Sequence, residues 1–299
     1  MLDASPARFA LPERAEARAL LERLGADPRD ADAVIAAWPD AGATDVWRVL
    51  ERTYRTLAAD MGGLGVIDWP DVMPTSFGET GRYFYAFVFL AALGDVRAYH
   101  RGRAIPDAVS WATLADFGRQ LRRDRALFGG GLRAHGWLTL HFRGAIYELG
   151  RLQFNRMRAR RALGAGGPQA GDDALGVHIY EGAPLAPDAC DDSLHRARSF
   201  FARHFPETPV RAGVCTSWLL DEQLADYLPA GSNIVRFGRR FTLAGDYDGD
   251  LDVLTFVFHR LAMPGDLDVL PQRTTLERAL VAHWRAGKHW RTRTGWVEL

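Results

Sequence analysis

Leu175-Gly-Val-His-Ile-Tyr-Glu-Gly182 decides how the second half of this 299-residue chain is read. Its first five residues form a short apolar run bounded by turn-forming residues, the pattern of a strand buried on both faces. From about Pro187 to His204 the period becomes helical. Cys190, Leu194, Ala197, Phe201 and Phe205 fall on one face, and the proline stands near the first turn. Val210 to Cys215 repeats the pattern of an apolar strand. Two strands joined through a helix pair in parallel with a right-handed crossover, so this segment predicts a βαβ unit.

Working outward, Leu220 to Leu228 predicts a helix with Leu224 and Tyr227 on one face, ended by Pro229. Ile234 to Leu243 and Val253 to Arg260 predict long strands around a turn at Ala244 to Asp252, an antiparallel hairpin. The spacing of Thr274 to Glu277 is that of a capping box and starts a last helix, running to about Ala286. Upstream, Trp137 to Phe142 and Ala145 to Met157 predict extended segments joined at Arg143-Gly144, followed by a loop over Gly164 to Asp173.

Between Leu11 and about Phe128 the apolar residues recur at helical spacing, as in Val46, Leu50, Leu57, Met61 and in Trp111, Leu114, Phe117, Leu121. Turn-rich stretches at Gly62-Gly63, Pro70 to Gly78 and Gly102 to Asp107 separate these helices, and Gly129-Gly-Gly131 ends the last. The fold class is therefore α+β, with a helical domain over residues 1–131 and a mixed-sheet α/β domain over 132–299.

Lys+Arg and Asp+Glu are both 37, so no net field draws the chain to nucleic acid or to a membrane surface. Lys288 is the only lysine, which reflects codon composition more than phosphate binding. The longest uncharged apolar run, Tyr83 to Leu93, is too short for a span of roughly 20 residues and reads as a buried helix or strand. Two cysteines, and no secretory pattern over Met1 to Ala10, predict a cytoplasmic protein.

The strings Leu175 to Gly182, Ser217-Trp-Leu-Leu-Asp-Glu-Gln223, Tyr227 to Phe237 and Gly295-Trp-Val-Glu-Leu299 resemble a group of actinobacterial proteins. Those proteins join a helical N-terminal acyltransferase domain to a C-terminal domain of the GNAT (N-acetyltransferase) type. The resemblance covers about Leu11 to Leu299. It implies two parallel strands that splay apart around the pantetheine arm of an acyl donor, either acyl-CoA or an acyl-pantetheine. Val177 and Ile179 would line that arm, Ser217 and Trp218 would flank its other side, and the backbone near Gly182 would face the pyrophosphate. The acceptor would be the amine of a small molecule or peptide.

Direct attack by an amine needs a base, donors for the tetrahedral oxyanion and an acid for the thiolate. The resemblance places Tyr227 as the acid. His178 and Glu181, at the carboxyl end of the first strand, are the candidate bases. The aromatic first half, with Trp38, Trp47, Trp69, Tyr83, Phe84 and Tyr85, reads as core, with a cover over the acceptor side of the cleft as the alternative.

The glycine-rich pyrophosphate loop of the GNAT type is missing: Tyr180-Glu-Gly-Ala-Pro-Leu-Ala-Pro-Asp188 stands in its place. Arg161-Ala-Leu-Gly-Ala-Gly166 fits the pattern but precedes a strand, where no helix terminus would receive phosphates. Glu181, Asp188, Asp191 and Asp192 cluster at the start of the helix and predict repulsion of a nucleotide, favouring an acyl carrier protein as donor; Arg196 and Arg198 read as solvated helix charges before they read as contacts to such a carrier. Two rival readings follow: a non-catalytic GNAT-like binding module, and a thioester hydrolase using Cys215. Asp246, Asp248, Asp250 and Asp252 alternate without the spacing of a calcium loop and read as a solvated hairpin turn. His283 and His289 lack a zinc framework, so no metal is expected.

Overall fold

The computed structural model describes residues 9–65, 67–69 and 75–299. Most of the turn expected over Pro70 to Gly78, residues 70–74, lies outside the described residues. The chain divides into two compact units, Met1–Glu148 and Leu149–Leu299. The glycine run at 129–131 and the two elements after it thus belong to the first unit, and the division falls later than the expected boundary at 131.

The first unit holds helices α1 (Arg14–Arg23), α2 (Pro28–Ala36), α3 (Thr44–Ala59), α4 (Gly78–Arg82), α5 (Phe84–Gly102), α6 (Asp107–Leu114), α7 (Asp116–Phe128) and α8 (His135–Phe142), then the short strand β1 (Ile146–Glu148). Helix α5 is its axis. Every residue from Phe84 to Leu90 is buried, because this stretch has no polar face to turn to water and is enclosed all round. Leu21, Leu50, Leu57, Phe117, Leu138 and Phe142 pack into the same core. Trp69 stacks on Phe89, and Tyr83, Phe84 and Tyr85 are buried, so the aromatic run is packing. Among the described residues no helix is long and apolar enough to cross a membrane.

Helix α7 ends where the glycines require it: Gly129, Gly130 and Gly131 all take positive φ, a conformation that side chains resist. The segment Trp137 to Phe142, expected as a strand, is helix α8. Alternation cannot assign so short an apolar run, and its buried Leu138, His141 and Phe142 follow a helical spacing.

The second unit contains β2 (Gln153–Arg158), β3 (Asp173–His178), α9 (Pro187–His204), β4 (Ala212–Ser217), α10 (Asn233–Gly238), β5 (Thr242–Asp248), α11 (Asp250–Phe258), α12 (Thr275–Arg285) and β6 (Arg291–Glu298). Its strands lie in the order β2-β3-β4-β6-β5. Only β3 and β4 are parallel, joined through α9 as the βαβ pattern predicts. Helix α12 starts at Thr274 with both halves of the capping box made.

Two expectations downstream of β4 fail. The helix over Leu220 to Leu228 is a pair of short 3₁₀ turns, Trp218–Leu220 and Glu222–Asp226, separated by Asp221, which caps the second. The hairpin of Ile234 to Leu243 with Val253 to Arg260 does not form. Ser232 caps α10 by accepting from the Val235 amide, and Asp250 and Asp252 occupy the first turn of α11, where carboxylates favour a helix. Strand β5 pairs with the distant β6 instead.

The alternating aspartates therefore form no hairpin turn: Asp246 and Asp248 are exposed at the end of β5, Asp250 and Asp252 are half-buried at the start of α11, and all four accept bonds. Asp246 meets Arg291 and Arg293, Asp248 accepts from the Asp250 amide, and Asp252 accepts from Thr292. Asp250 accepts from Trp284 Nε1 (2.7 Å), the Trp290 amide (2.8 Å) and His289 Nδ1 (2.6 Å), tying α11 to α12 and to the start of β6.

Removing the Asp250 carboxylate leaves the two buried tryptophan donors unpaired. Asp250→Ala is expected to destabilise the second unit by about 2–4 kcal/mol in equilibrium denaturation. His289 is exposed, and its bond to Asp250 raises its pKa. Its stabilising share is complete below the unfolded-state value of about 6.5 and fades as pH rises through the raised folded value. His289→Gln should abolish that acid-side share, measured as the melting temperature against pH.

Candidate active site

The parallel ladder between β3 and β4 is short. It pairs Leu175 with Gly213, Gly176 with Val214 and Val177 with Cys215, and ends there. Strand β3 continues to His178 against Gln153 of β2, while β4 continues through Thr216 and Ser217 against Thr294 and Arg293 of β6. Each strand keeps its antiparallel neighbour and loses its parallel one, which leaves a gap in the pairing at their carboxyl ends. Close approach within the ladder depends on Gly213, where a Cβ would stand 2.9 Å from Val177 Cγ2.

The strand registers put Asn155, Gly176, His178, Thr216 and Thr294 on one face of the sheet. His178 and Asn155 form one lip of the gap, Thr216 and Thr294 the other. His178 Nε2 lies 2.6 Å from Asn155 Oδ1, and the hydroxyls of Thr216 and Thr294 are 3.0 Å apart. A sequence reading identifies His178 but neither Asn155 nor the threonines, whose neighbourhood exists only across strands far apart in the chain.

Of the other expected residues, Val177 is buried at the last pair of the parallel ladder, whereas Ile179 is half-buried just beyond the strand. Glu181 and Gly182 are exposed in the loop between β3 and α9. Ser217 Oγ accepts from the Leu219 amide at 3.1 Å and starts the first 3₁₀ turn. The Trp218 ring is buried in the core cluster with Leu224, Val235 and Leu280.

Tyr227 sits in that cluster's margin. Its ring stands edge-on to His283 and Trp290, and its hydroxyl is 3.2 Å from His283 Nδ1. His283 Nε2 is 3.2 Å from the His289 carbonyl, so Nε2 carries the proton and Nδ1 accepts from the tyrosine. Tyr227 thus donates into the protein.

The loop from Ile179 to Ala186 is held by two contacts that the sequence does not announce. Tyr180 donates to the Gly150 carbonyl at 2.9 Å, and Arg151 donates through Nε to the Pro184 carbonyl at 3.1 Å with its guanidinium 5.0 Å from the Tyr180 ring. The acidic cluster at the start of α9 is partly neutralised. Asp191 pairs with Arg240 and Asp192 with Arg196, and the Arg240 bond holds Asp191 below the usual carboxylate range. The repulsion expected of four free carboxylates is therefore weaker than the sequence suggests.

Cys215 is 1% exposed, and burial pushes its thiol up to about 12. A nucleophile must be a thiolate, so no covalent route is supported. Among the described residues no group of three or more His, Cys, Asp or Glu side chains could hold a metal ion. A surface hollow of about 550 Å³ along α3 is lined by Arg48, Glu51, Arg52, Arg55 and Thr56, and its carboxylate is bonded to Arg55.

A helix-linked parallel pair that parts at its carboxyl ends, inside a mixed sheet, is the architecture of acyltransferases of the GNAT type. Residues 146–297 match the GNAT-like C-terminal domain, and residues 15–144 match the N-acyltransferase N-terminal domain. The solved structure of an acyltransferase in complex with decanoyl-CoA is 43% identical, over 98% of this chain and 91% of that one, with a TM-score of 0.89. An acyltransferase in complex with decanoyl-CoA and teicoplanin is 41% identical, over 99% of this chain and 91% of that one, with a TM-score of 0.85. No curated protein matches the chain significantly. The chain belongs to this family of two-domain acyltransferases and is an enzyme of acyl transfer.

Cys215 should resist alkylation in the native protein at pH 8 and react only on unfolding. Cys215→Ala should retain acyl transfer, as thiol release from an acyl donor would record.

Proposed function

We propose that this enzyme moves a fatty acyl group of about ten carbons from coenzyme A to an amine of a small molecule or peptide, with His178 as the base. The observation that carries the reading is the parting of β3 and β4 after Val177 and Cys215, with His178 on its lip. Relatives above 40% identity that hold decanoyl-CoA, one of them together with the glycopeptide teicoplanin, supply the donor and the acceptor class.

In this reading the backbone from Val177 to Ile179 pairs with the pantetheine arm, whose thioester lies in the gap. The pyrophosphate meets the exposed backbone of Glu181-Gly-Ala183 and the first turn of α9, which carries no side-chain cap. Gly182, at φ 116° in open space, lets that backbone approach the phosphates. Coenzyme A is preferred over an acyl carrier protein because Arg240 and Arg196 offset two of the carboxylates there.

The acceptor nitrogen attacks the thioester carbonyl carbon, forming the C–N bond and a tetrahedral oxyanion. His178 takes a proton from that nitrogen. Collapse restores the carbonyl, breaks the C–S bond and releases thiolate, which leaves as the thiol after gaining a proton. Glu181, exposed in the loop, is the second choice of base.

The test is turnover of decanoyl-CoA against a panel of primary amines that includes a glycopeptide, read as thiol release and as addition of one decanoyl group by mass spectrometry. His178→Ala is expected to lower kcat/KM by about 10²- to 10⁴-fold while the protein stays folded at the assay temperature, with a loss of about 1 kcal/mol of stability for the bond to Asn155. Full activity in that variant overturns the assignment, and faster use of carrier-bound than of CoA-bound decanoate overturns the donor.

Tyr227 is the proposed source of the thiol proton, although its hydroxyl is committed to His283. Tyr227→Phe is therefore expected to cost about 1 kcal/mol of stability and to lower kcat/KM by no more than about 10²-fold, less than loss of His178. Paired denaturation and rate measurements separate the two effects.

A further inference from the structure

We infer that Asn155 is a positioning residue that fixes the tautomer of His178, and that Gly176 exists to make room for it. The inference rests on the reading of His178 as the base.

The two ends of the Asn155 amide are engaged separately. Its Nδ2 donates to the Arg156 carbonyl at 3.1 Å, which fixes which end is oxygen, and its Oδ1 faces His178 Nε2 at 2.6 Å. An oxygen can only accept, so Nε2 of His178 carries the hydrogen. In the neutral ring the basic nitrogen is then Nδ1, and the imidazole plane is set by the same bond. A histidine left to choose its tautomer would present a proton in part of the population where the acceptor amine needs a lone pair.

The register explains how the bond is reached. Asn155 stands opposite Gly176, while His178 stands opposite Gln153, so the Asn155–His178 contact runs diagonally across the strand pair. The path crosses the position of the missing side chain: a Cβ at Gly176 would lie 2.0 Å from Asn155 Oδ1 and 3.0 Å from His178 Nε2. Alanine at 176 cannot coexist with this bond. Gly176 has no positive φ to account for it, so its smallness serves the space above it.

The experiment uses the full chain labelled with ¹⁵N-histidine. The His178 resonances are assigned by their loss in His178→Gln, and the tautomer is read from the Nδ1 and Nε2 shifts. Wild type and Asn155→Asp, which keeps an accepting oxygen, should show the Nε2–H form, whereas Asn155→Ala and Gly176→Ala should show a mixture or the Nδ1–H form. With decanoyl-CoA and an amine that wild type acylates, Asn155→Ala and Gly176→Ala should lose at least about tenfold in kcat/KM, and Asn155→Asp should retain more activity than either.

An unchanged tautomer in both Asn155→Ala and Gly176→Ala overturns the inference, whatever the rates. A changed tautomer with undiminished rates, together with an active His178→Ala, leaves the positioning intact and overturns His178 as the base. Two independent substitutions at one contact keep the test readable where one variant fails to fold.

Discussion

Each interior strand has two edges, and the divergence of β3 and β4 follows from how those edges are claimed. Strand β3 is drawn into a six-residue antiparallel register with β2, and β4 into a six-residue register with β6, whereas they share three pairs with one another. Antiparallel pairing is slightly the more stable per residue, and the sheet's twist turns successive strands away from each other. Once the apolar residues up to Val177 and Cys215 have been buried, nothing holds the parallel pair together. The gap is a consequence of that competition, and the chemistry is placed at the point where the parallel ladder gives out.

The same competition explains why small residues collect along these strands. Gly213 lies between Val177 and Val297, and Gly295 faces Phe241 and Leu243, where a Cβ would stand 2.9 Å from the Phe241 side chain. Gly176 leaves its space to a polar amide. Three strands pack tightly below the gap so that a few side chains on one face above it can be held in place. Rigidity there matters because a proton transfer tolerates little misplacement of the nitrogen that accepts it.

The βαβ unit, α9 and the capping box of α12 were legible because each carries a local signal: a buried apolar run, a helical stripe, a spacing of three. The failures are also physical. Helix α8 is a short apolar stretch and strand β5 a mostly polar one without alternation, and the conformation of each is decided by partners, His135 to Phe142 by the helical core and Thr242 to Asp248 by β6. The pair of 3₁₀ turns before Tyr227 depends on Ser217 and Asp221 capping through backbone contacts that no periodicity records. His178 could be picked out, since a histidine at the carboxyl end of a parallel strand is where open sheets gather ligands. Its partner Asn155 could not, because the bond between them is diagonal and crosses a glycine whose reason is invisible in one dimension.

The start of α9 shows the opposite kind of error, a signal that was real but incomplete. Counting Glu181, Asp188, Asp191 and Asp192 at a helix N-terminus gives an acidic field, which should reject a nucleotide. In the folded chain Arg240, 49 residues after Asp191, donates to that carboxylate and also to the Pro187 carbonyl. It brings a fixed positive charge to the first turn of α9, and Arg196 does the same for Asp192 from one turn further along. Both pairs have at least one exposed partner, so their energetic worth is small. Their effect on the field is not small, because a neutralised carboxylate beside an uncapped helix terminus no longer opposes a phosphate. A charge count over a sequence window therefore predicts the sign of a local potential only when the compensating charges lie in the same window. Here one lies four residues away and the other is supplied by a segment beyond the next strand.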